Sequence, residues 1–220
     1  MSKAAAASCA PGMSELIVHY HDAHCLIVEK PAGQLSVPGL APGWSLASEV
    51  QARFPDARVV HRLDEATSGL VLFARGDPMA GAFGRLFEGR QVNKRYEAIV
   101  HGQVAAAEGV LDWPLIRDWP NRPRQKVCFE TGKASQTRYT RIALLPERNA
   151  TRLALIPLTG RTHQLRVHLL QFGHPILGDR LYGDAQVREA TPRLLLHACE
   201  LSFSHPVSGE LITVTSPVPF

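Results

Sequence analysis

The sequence His61-Arg62-Leu63-Asp64-Glu65-Ala66-Thr67-Ser68-Gly69 places one carboxylate in a short polar turn between two apolar segments. The flanking segments, Ala57–Val60 and Leu70–Ala74, are rich in residues that favour strands, so the turn is expected at a sheet edge. An Asp held there beside a cation stays ionised and can act as a nucleophile toward carbon. The alternative is that Asp64 only caps the turn together with Thr67 and Ser68.

Strand patterns recur along the chain. Leu16–Val18 and Leu26–Val28 flank the polar segment His21–His24, which predicts a hairpin. Lys94–Gly102 alternates like a further strand. With the helices below, these strands predict an α+β fold with a mixed, largely antiparallel central sheet, flanking helices and a cleft.

Three helices are predicted. The first spans Ser45–Phe54, with apolar side chains on one face. Asp77 as N-cap and Pro78 in the first turn predict the second. Thr162 is expected to cap the third, which ends at Gly173 and turns Leu165, Leu169 and Phe172 inward.

Length and composition bound the class of protein. The chain has 220 residues, 45% of them hydrophobic, which is enough for one core. Residues 1–14 are expected to form a flexible tail, and 15–220 a single domain with no additional N-terminal RNA-binding domain. No apolar run reaches the roughly 20 residues that a membrane helix needs. The four cysteines show no metal or disulfide spacing, so a cytoplasmic protein is expected.

Positive charge is concentrated more than the formal net charge of +4 suggests. Arg117–Lys126 contains Arg122, Arg124 and Lys126 together with Trp119, and Arg85, Arg90, Lys94 and Arg95 form a second group. Cations bind phosphates, and aromatic rings stack on splayed bases. The alternative for such a loop is an ordinary solvated surface.

The motif around Asp64 is one of four ordered motifs in the chain. They are His61–Asp64 with Thr67–Gly69, then Glu29–Gly39, Gly160–His168 with Gly173–Asp179, and Arg193–Ala198. Together they resemble the motifs of the RluA family of pseudouridine synthases, and the resemblance extends from about Glu15 to the C-terminus. It implies the pseudouridine synthase fold and an enzyme that isomerises uridine in structured RNA by flipping the base out of its stack.

The resemblance also implies roles for single residues. Asp64 corresponds to the nucleophile, Arg166 to the basic residue that pairs with it, and Tyr96 to the active-site tyrosine. Arg62 corresponds to the arginine that fills the gap left by the flipped base. The predicted RNA-binding residues are Arg62, His61, Arg122, Arg124, Lys126, Arg161 and His163. His163 and Arg166 lie three positions apart on the third helix, so both can face one cleft.

Partners and substrates follow from the same resemblance. Asp118–Cys128 and Glu130–Lys133 resemble the family members that modify both large-subunit ribosomal RNA and the tRNA anticodon stem-loop. The expected partner is therefore RNA, bound by a monomer without a membrane, a cofactor or a metal. The sequence leaves open whether Asp64 attacks the uracil ring or the ribose carbon.

Two other functions were weighed. His61, Asp64, His163 and His168 would have to converge in a metal-dependent hydrolase acting on nucleic acid. The chain contains neither the H-E-x-x-H motif nor a phosphate-binding glycine motif. A non-catalytic RNA-binding module is opposed by the presence of Asp64, Tyr96 and Arg166 together.

Overall fold

The computed structural model describes residues 16–39 and 44–220. The strands are β1 Val18–His21, β2 Cys25–Lys30, β3 Ala57–Val59, β4 Ser68–Arg75, β5 Asn93–His101, β6 Glu108–Asp112, β7 Leu115–Arg117, β8 Gln125–Val127, β9 Gln136–Leu145, β10 Ala150–Pro157, β11 Leu196–Ser204 and β12 Leu211–Thr215. The α-helices are α1 Leu46–Arg53, α2 Asp77–Glu88, α3 Gln164–Gln171 and α4 Ala185–Glu189. Short 3₁₀ turns cover Trp119–Asn121 and Pro146–Arg148. The expected tail, 1–14, lies outside the described residues.

A ten-stranded sheet forms the centre of the molecule. Its order is β1-β2-β4-β11-β5-β10-β9-β6, with β3 paired to β4 and β12 to β11. Among the described strands, β4 and β11 are the one parallel pair, and all other pairs run antiparallel. The predicted α+β class with a mixed, largely antiparallel sheet is therefore confirmed. β7 and β8 form a separate two-stranded sheet.

The flanking segments predicted that the Asp64 turn lies at a sheet edge, and this prediction is wrong. It leads into β4, which is central because β2 and β11 cover its two sides. Gly69 makes this position possible: its φ is +117°, and a Cβ there would lie 2.3 Å from the carbonyl oxygen of Ala198. Only glycine allows so close an approach of the two parallel strands.

The predicted helices are present, but two of their starts differ. α1 begins after Ser45, whose hydroxyl accepts a hydrogen bond from the Ser48 N–H, as expected of a cap. α2 is capped by Gly76, and Asp77 is its first residue. α3 begins after His163, whose left-handed φ of 55° ends the loop, so Thr162 is not the cap.

The core explains how the helices pack. Leu165 and Leu169 of α3 join the buried side chains of β5 and β10, and Phe172 packs against them. Phe83 of α2 packs with β2, β4 and β11. The inward residues predicted for α3 are therefore correct, and their burial fixes the opposite face of α3 toward the site described next.

Candidate active site

The turn that carries Asp64 is fixed by its backbone. The Ser36 hydroxyl accepts from the Leu63 N–H at 3.0 Å and donates to the Leu63 carbonyl at 2.7 Å. The Thr67 N–H donates to the backbone carbonyl of Asp64 at 3.1 Å. Because the carbonyl closes the turn, the carboxylate of Asp64 is left to face other groups.

A buried lysine clamps the other side of the same turn. Lys30 is fully buried, and its Nζ donates to the carbonyls of Pro31, Gln34 and Glu65 at 2.8, 2.8 and 3.0 Å. Burial lowers the pKa of Lys30 to about 8, although the charges of Asp64 and Glu65 oppose the shift. The clamp ties the residue after Asp64 to the loop that follows β2.

An arginine of α3 reaches the carboxylate from the other side. Arg166 Nη1 lies 3.5 Å from Asp64 Oδ2, while its Nε and Nη2 donate to the two oxygens of Asp179 at 2.8 and 2.7 Å. The side chain of Asp179 is 1% exposed and that of Arg166 6%. Burial is the largest single influence and acts against the Arg166 charge, but the hydrogen bond and charge of Asp179 and the charge of Asp64 together outweigh it and raise the pKa of Arg166. Asp179 therefore fixes the guanidinium that faces Asp64.

Asp179 was not singled out from the sequence. It also accepts from the backbone N–H groups of Leu181 and Tyr182, so its carboxylate organises the loop after Gly178. Gly178 has a φ of +78°, and a Cβ there would lie 1.9 Å from the carbonyl of Arg193. A glycine with positive φ directly before an acidic residue was the available signal, but it marks turns of many kinds.

His163 contacts the other oxygen of Asp64. Its Nε2 lies 3.8 Å from Asp64 Oδ1, and its Nδ1 lies 2.7 Å from the Tyr182 hydroxyl. Burial lowers the pKa of His163, partly opposed by the charge of Asp64. Burial also raises the pKa of Tyr182 to about 12, so the phenol is protonated beside Nδ1. When the phenol donates to Nδ1, the proton of the neutral imidazole is on Nε2, facing Asp64.

Tyr96 adds an aromatic face to the site. Its ring packs against two clusters of buried core residues and also lines the cavity above Asp64. Burial, and then the charge of Asp64, raises the pKa of Tyr96, so its hydroxyl is protonated at neutral pH. The ring therefore belongs both to the core and to the cavity wall.

The cavity above Asp64 has a volume of about 910 Å³, within the usual range for a ligand site. It brings together seven of the predicted site residues: His61, Arg62, Asp64, Tyr96, Arg161, His163 and Arg166. Arg122, Arg124 and Lys126 do not line it. They belong to β8 and the turn before it.

His61 is held as a neutral side chain. Its Nε2 accepts from the Leu72 N–H at 2.9 Å, and its ring stacks on Phe87 at 4.6 Å. Burial, and to a smaller extent the charge of Lys94, lowers the pKa of His61 to about 3. His61 therefore shapes the cavity wall without adding positive charge.

His168 lies away from the cavity and does not join a ligand set with Asp64. It is fully buried, and its ring nitrogens bond to Ser135, Thr137 and the Trp113 carbonyl. His61 Nε2 also accepts a hydrogen bond from a backbone N–H, so the four groups needed by the hydrolase alternative do not converge.

Within 16–39 and 44–220, every helix is too short or too polar to cross a bilayer.

The basic segment before β8 is linked to the cavity through one hydroxyl. The Gln125 N–H donates to Tyr182 Oη at 2.8 Å, and the same oxygen contacts His163. The guanidinium of Arg122 lies 3.9 Å from the centre of the exposed Trp119 ring, and that of Arg117 lies 4.8 Å from it. Trp119 is thus engaged by two cations in the free protein.

Comparison with known proteins gives one consistent result. Residues 24–171 match the family model described as RNA pseudouridylate synthase. The dual-specificity RNA pseudouridine synthase RluA of Escherichia coli K12 is 47% identical over 93% of this chain and 94% of its own length. RluA of Yersinia pestis is 49% identical over 88% of this chain and 95% of its own. The solved structure of human RNA pseudouridylate synthase domain containing 1 superposes with a TM-score of 0.82 at 31% identity, covering 96% of this chain and 87% of that one.

Proposed function

Because the chain belongs to the RluA family of RNA pseudouridine synthases, enzymes that isomerise uridine to pseudouridine in RNA, we propose that Asp64 is its nucleophile and that its substrates are large-subunit ribosomal RNA and the tRNA anticodon stem-loop. The choice of two RNA classes is supported by relatives whose names carry the term dual-specificity. It is also supported by the basic segment Arg117–Lys126 beside the cavity.

The arrangement Asp179–Arg166–Asp64 is the observation that carries the catalytic assignment. The Asp64 carboxylate, 20% exposed, faces a cavity with only long contacts, to Arg166 at 3.5 Å and to His163 at 3.8 Å, while a buried partner holds Arg166 in place. A fixed cation at that distance aims the carboxylate without binding it in a tight pair. That combination suits a nucleophile more than a structural ion pair.

The reaction replaces the carbon–nitrogen glycosidic bond with a carbon–carbon bond. The glycosidic bond from the ribose C1′ to N1 breaks, C1′ joins C5, and the proton that leaves C5 is balanced by one gained at N1. We assign to Tyr96 the stacking face for the flipped uracil and a hydroxyl for the proton at C5. Arg62 is exposed at the cavity. We assign to it the role of filling the gap that the flipped base leaves in the RNA.

RNA contacts outside the cavity are assigned to Arg122, Arg124 and Lys126, with Arg161 and His163 at its rim. We further propose that residues 15–220 act as one catalytic domain and that the enzyme is a cytoplasmic monomer. Support for a reducing compartment comes from the free thiols of Cys25, Cys128 and Cys199. Light scattering of the purified protein at several concentrations tests the monomer.

The decisive experiment is to incubate the purified protein with transcribed tRNA and with ribosomal RNA fragments and to map pseudouridine by chemical probing. We expect one modified uridine set in each RNA. Product in only one RNA class would reduce the proposal to a single substrate. Product formed equally by Asp64→Asn would remove the nucleophile assignment.

A further inference from the structure

One cation of the cavity wall has no counterion among residues 16–39 and 44–220. Lys94 lies on β5 two residues before Tyr96, and both side chains line the cavity because residues two apart share a face of a strand. A Cβ built on Gly160, across the cavity wall, would lie 3.8 Å from Lys94 Nζ. The ammonium thus lies at the cavity wall beside the backbone of Gly160, in the cavity that Asp64 also lines.

The other buried cations of the fold are satisfied by the protein. Lys30 donates to three carbonyls, and Arg166 is bidentate to Asp179. Among the described residues, Lys94 Nζ forms neither a hydrogen bond nor an ion pair, and burial lowers its pKa with no opposing carboxylate. A partly buried ammonium without a partner is costly to keep, which points to an anion supplied by a ligand.

The carboxylates of the cavity wall do not fill this role. Asp64 is shared between Arg166 and His163, and Glu88 forms no ion pair among the described residues. Gly160 leaves the space next to Nζ without a side chain. A phosphodiester is the anion that an RNA strand brings to a flipped nucleotide, one sugar away from the base.

We propose that Lys94 binds the phosphodiester next to the uridine that is isomerised, and so fixes the flipped nucleotide against Tyr96. This inference rests on the proposed function, since it takes the Asp64 cavity as the place of reaction. The site is specific for a phosphate oxygen of the target strand. It differs from the contacts of β8, which are exposed and lie outside the cavity.

The test combines a charge deletion with deletion of single phosphates. Lys94→Gln removes the ammonium, Lys94→Arg keeps a charge, and Arg58→Gln removes one charge from β3, where Arg58 pairs with Asp77 and does not line the cavity. Binding is measured over a salt series for RNA carrying one neutral methylphosphonate at each position around the target. Melting temperatures show whether each variant is folded.

We expect Lys94→Gln to weaken binding about tenfold and to reduce the salt slope by about 0.7 to 0.9, whereas Lys94→Arg and Arg58→Gln stay close to wild type. One methylphosphonate beside the target should weaken the wild type about tenfold and leave Lys94→Gln unchanged. If every methylphosphonate weakens both proteins equally, the proposal is wrong. It is equally wrong if Lys94→Arg binds normally but loses turnover at saturating RNA, because that pattern indicates a proton-transfer role.

Failure of the proposed substrates is detected separately. Pseudouridine formation by the wild type is measured first on each RNA, and the binding series uses an RNA that is converted. If neither proposed class is converted, the substrate assignment fails, and the series is run on a target mapped in total RNA. Lys94 is then still tested on a true substrate.

Discussion

The floor of the cavity and the two-stranded sheet β7–β8 both carry dense charge, but they hold it differently. On the floor, Arg166 and Asp179 are almost fully buried and bonded in a bidentate pair. On β8, the side chain of Lys126 is 56% exposed and lies 3.6 Å from Asp118, a contact that water and salt screen strongly.

This difference separates two tasks. A buried, fully bonded pair holds a carboxylate in one geometry, as bond-making at carbon requires. Exposed cations adapt to the path of a nucleic acid backbone and give affinity that depends on salt. We therefore expect variants on the floor to change turnover or folding, and variants on β8 to change RNA affinity.

The largest effect is expected for Asp64→Asn. The amide keeps the shape of the side chain but is not a competent nucleophile, so product should disappear while RNA affinity stays within a few-fold. Single-turnover assays and binding measurements on the same RNA check this. Glu65→Gln, one residue away and exposed, is the matched control and should remain active. Turnover near wild type in Asp64→Asn would contradict the assignment.

Arg166→Met should be costly to the fold as well as to turnover. It leaves Asp179 buried without its cation, and breaking such a pair costs roughly 3 to 5 kcal/mol. Arg166→Met combined with Asp179→Asn removes both charges but keeps an amide oxygen that can accept from the Leu181 and Tyr182 N–H groups, so it should recover much of the stability but none of the activity. Denaturant unfolding and single-turnover rates measure the two effects. Activity recovered along with stability would mean that Arg166 serves only the fold.

Tyr96→Phe should lower turnover far more than affinity or stability. The ring keeps its packing, while the hydroxyl that we assign to the C5 proton is lost. Tyr96→Leu should lose stacking and also stability, because the site in the core is poorly filled. Single-turnover rate, dissociation constant and melting temperature separate the two. A fully active Tyr96→Phe would leave only a packing role for Tyr96.

Stability should fall on acidification as His61 is forced to ionise. Its folded pKa, about 3, lies below the unfolded value of 6.5, so the unfolded chain binds the extra proton first. The stability that depends on a neutral His61 is fully present above pH 6.5 and is lost as the pH falls toward 3. Each such group adds a slope of at most about 1.4 kcal/mol per pH unit. In His61→Gln, whose amide oxygen can accept from Leu72, unfolding between pH 6 and 4 should be less pH-dependent. An unchanged slope would assign the acid sensitivity to other histidines.

The sequence predicts the parts of this comparison that depend on neighbours along the chain. The hairpin β1–β2, the helix α1 and the Asp64 turn each depend on residues within a few positions of one another. His163 and Arg166 both reach Asp64 as expected, but His163 precedes α3 as its N-cap, so the prediction that both lie on one helix is wrong. The clustering of cations around Trp119 is also visible in the sequence.

Contacts between segments that are far apart in the sequence cannot be predicted from it in this way. Asp64 and Arg166 are 102 positions apart, and Ser68 of β4 and His197 of β11 are 129 apart. Asp179 fixes the guanidinium of Arg166 only because α3 places that arginine against the loop after Gly178. Such pairings are set by packing of the whole sheet, whereas local propensity carries no information about them. The resemblance to a family supplied Arg166, but not the buried carboxylate that fixes it.

The smallest effect is expected where the two regions meet, at the Tyr182 hydroxyl. Tyr182→Phe keeps the ring 5.1 Å from the Arg166 guanidinium but removes the bonds to Gln125 and His163. We expect a loss of about 1 kcal/mol in stability and a loss of a few-fold in RNA affinity, with turnover at saturating RNA nearly unchanged. Tyr20→Phe removes a comparable 2.8 Å bond, to Asp22 in the hairpin, and should lose stability but not affinity. Turnover lost at unchanged affinity in Tyr182→Phe would move the phenol from the recognition side of the comparison to the chemical one, since the hydroxyl would then act through His163 on Asp64.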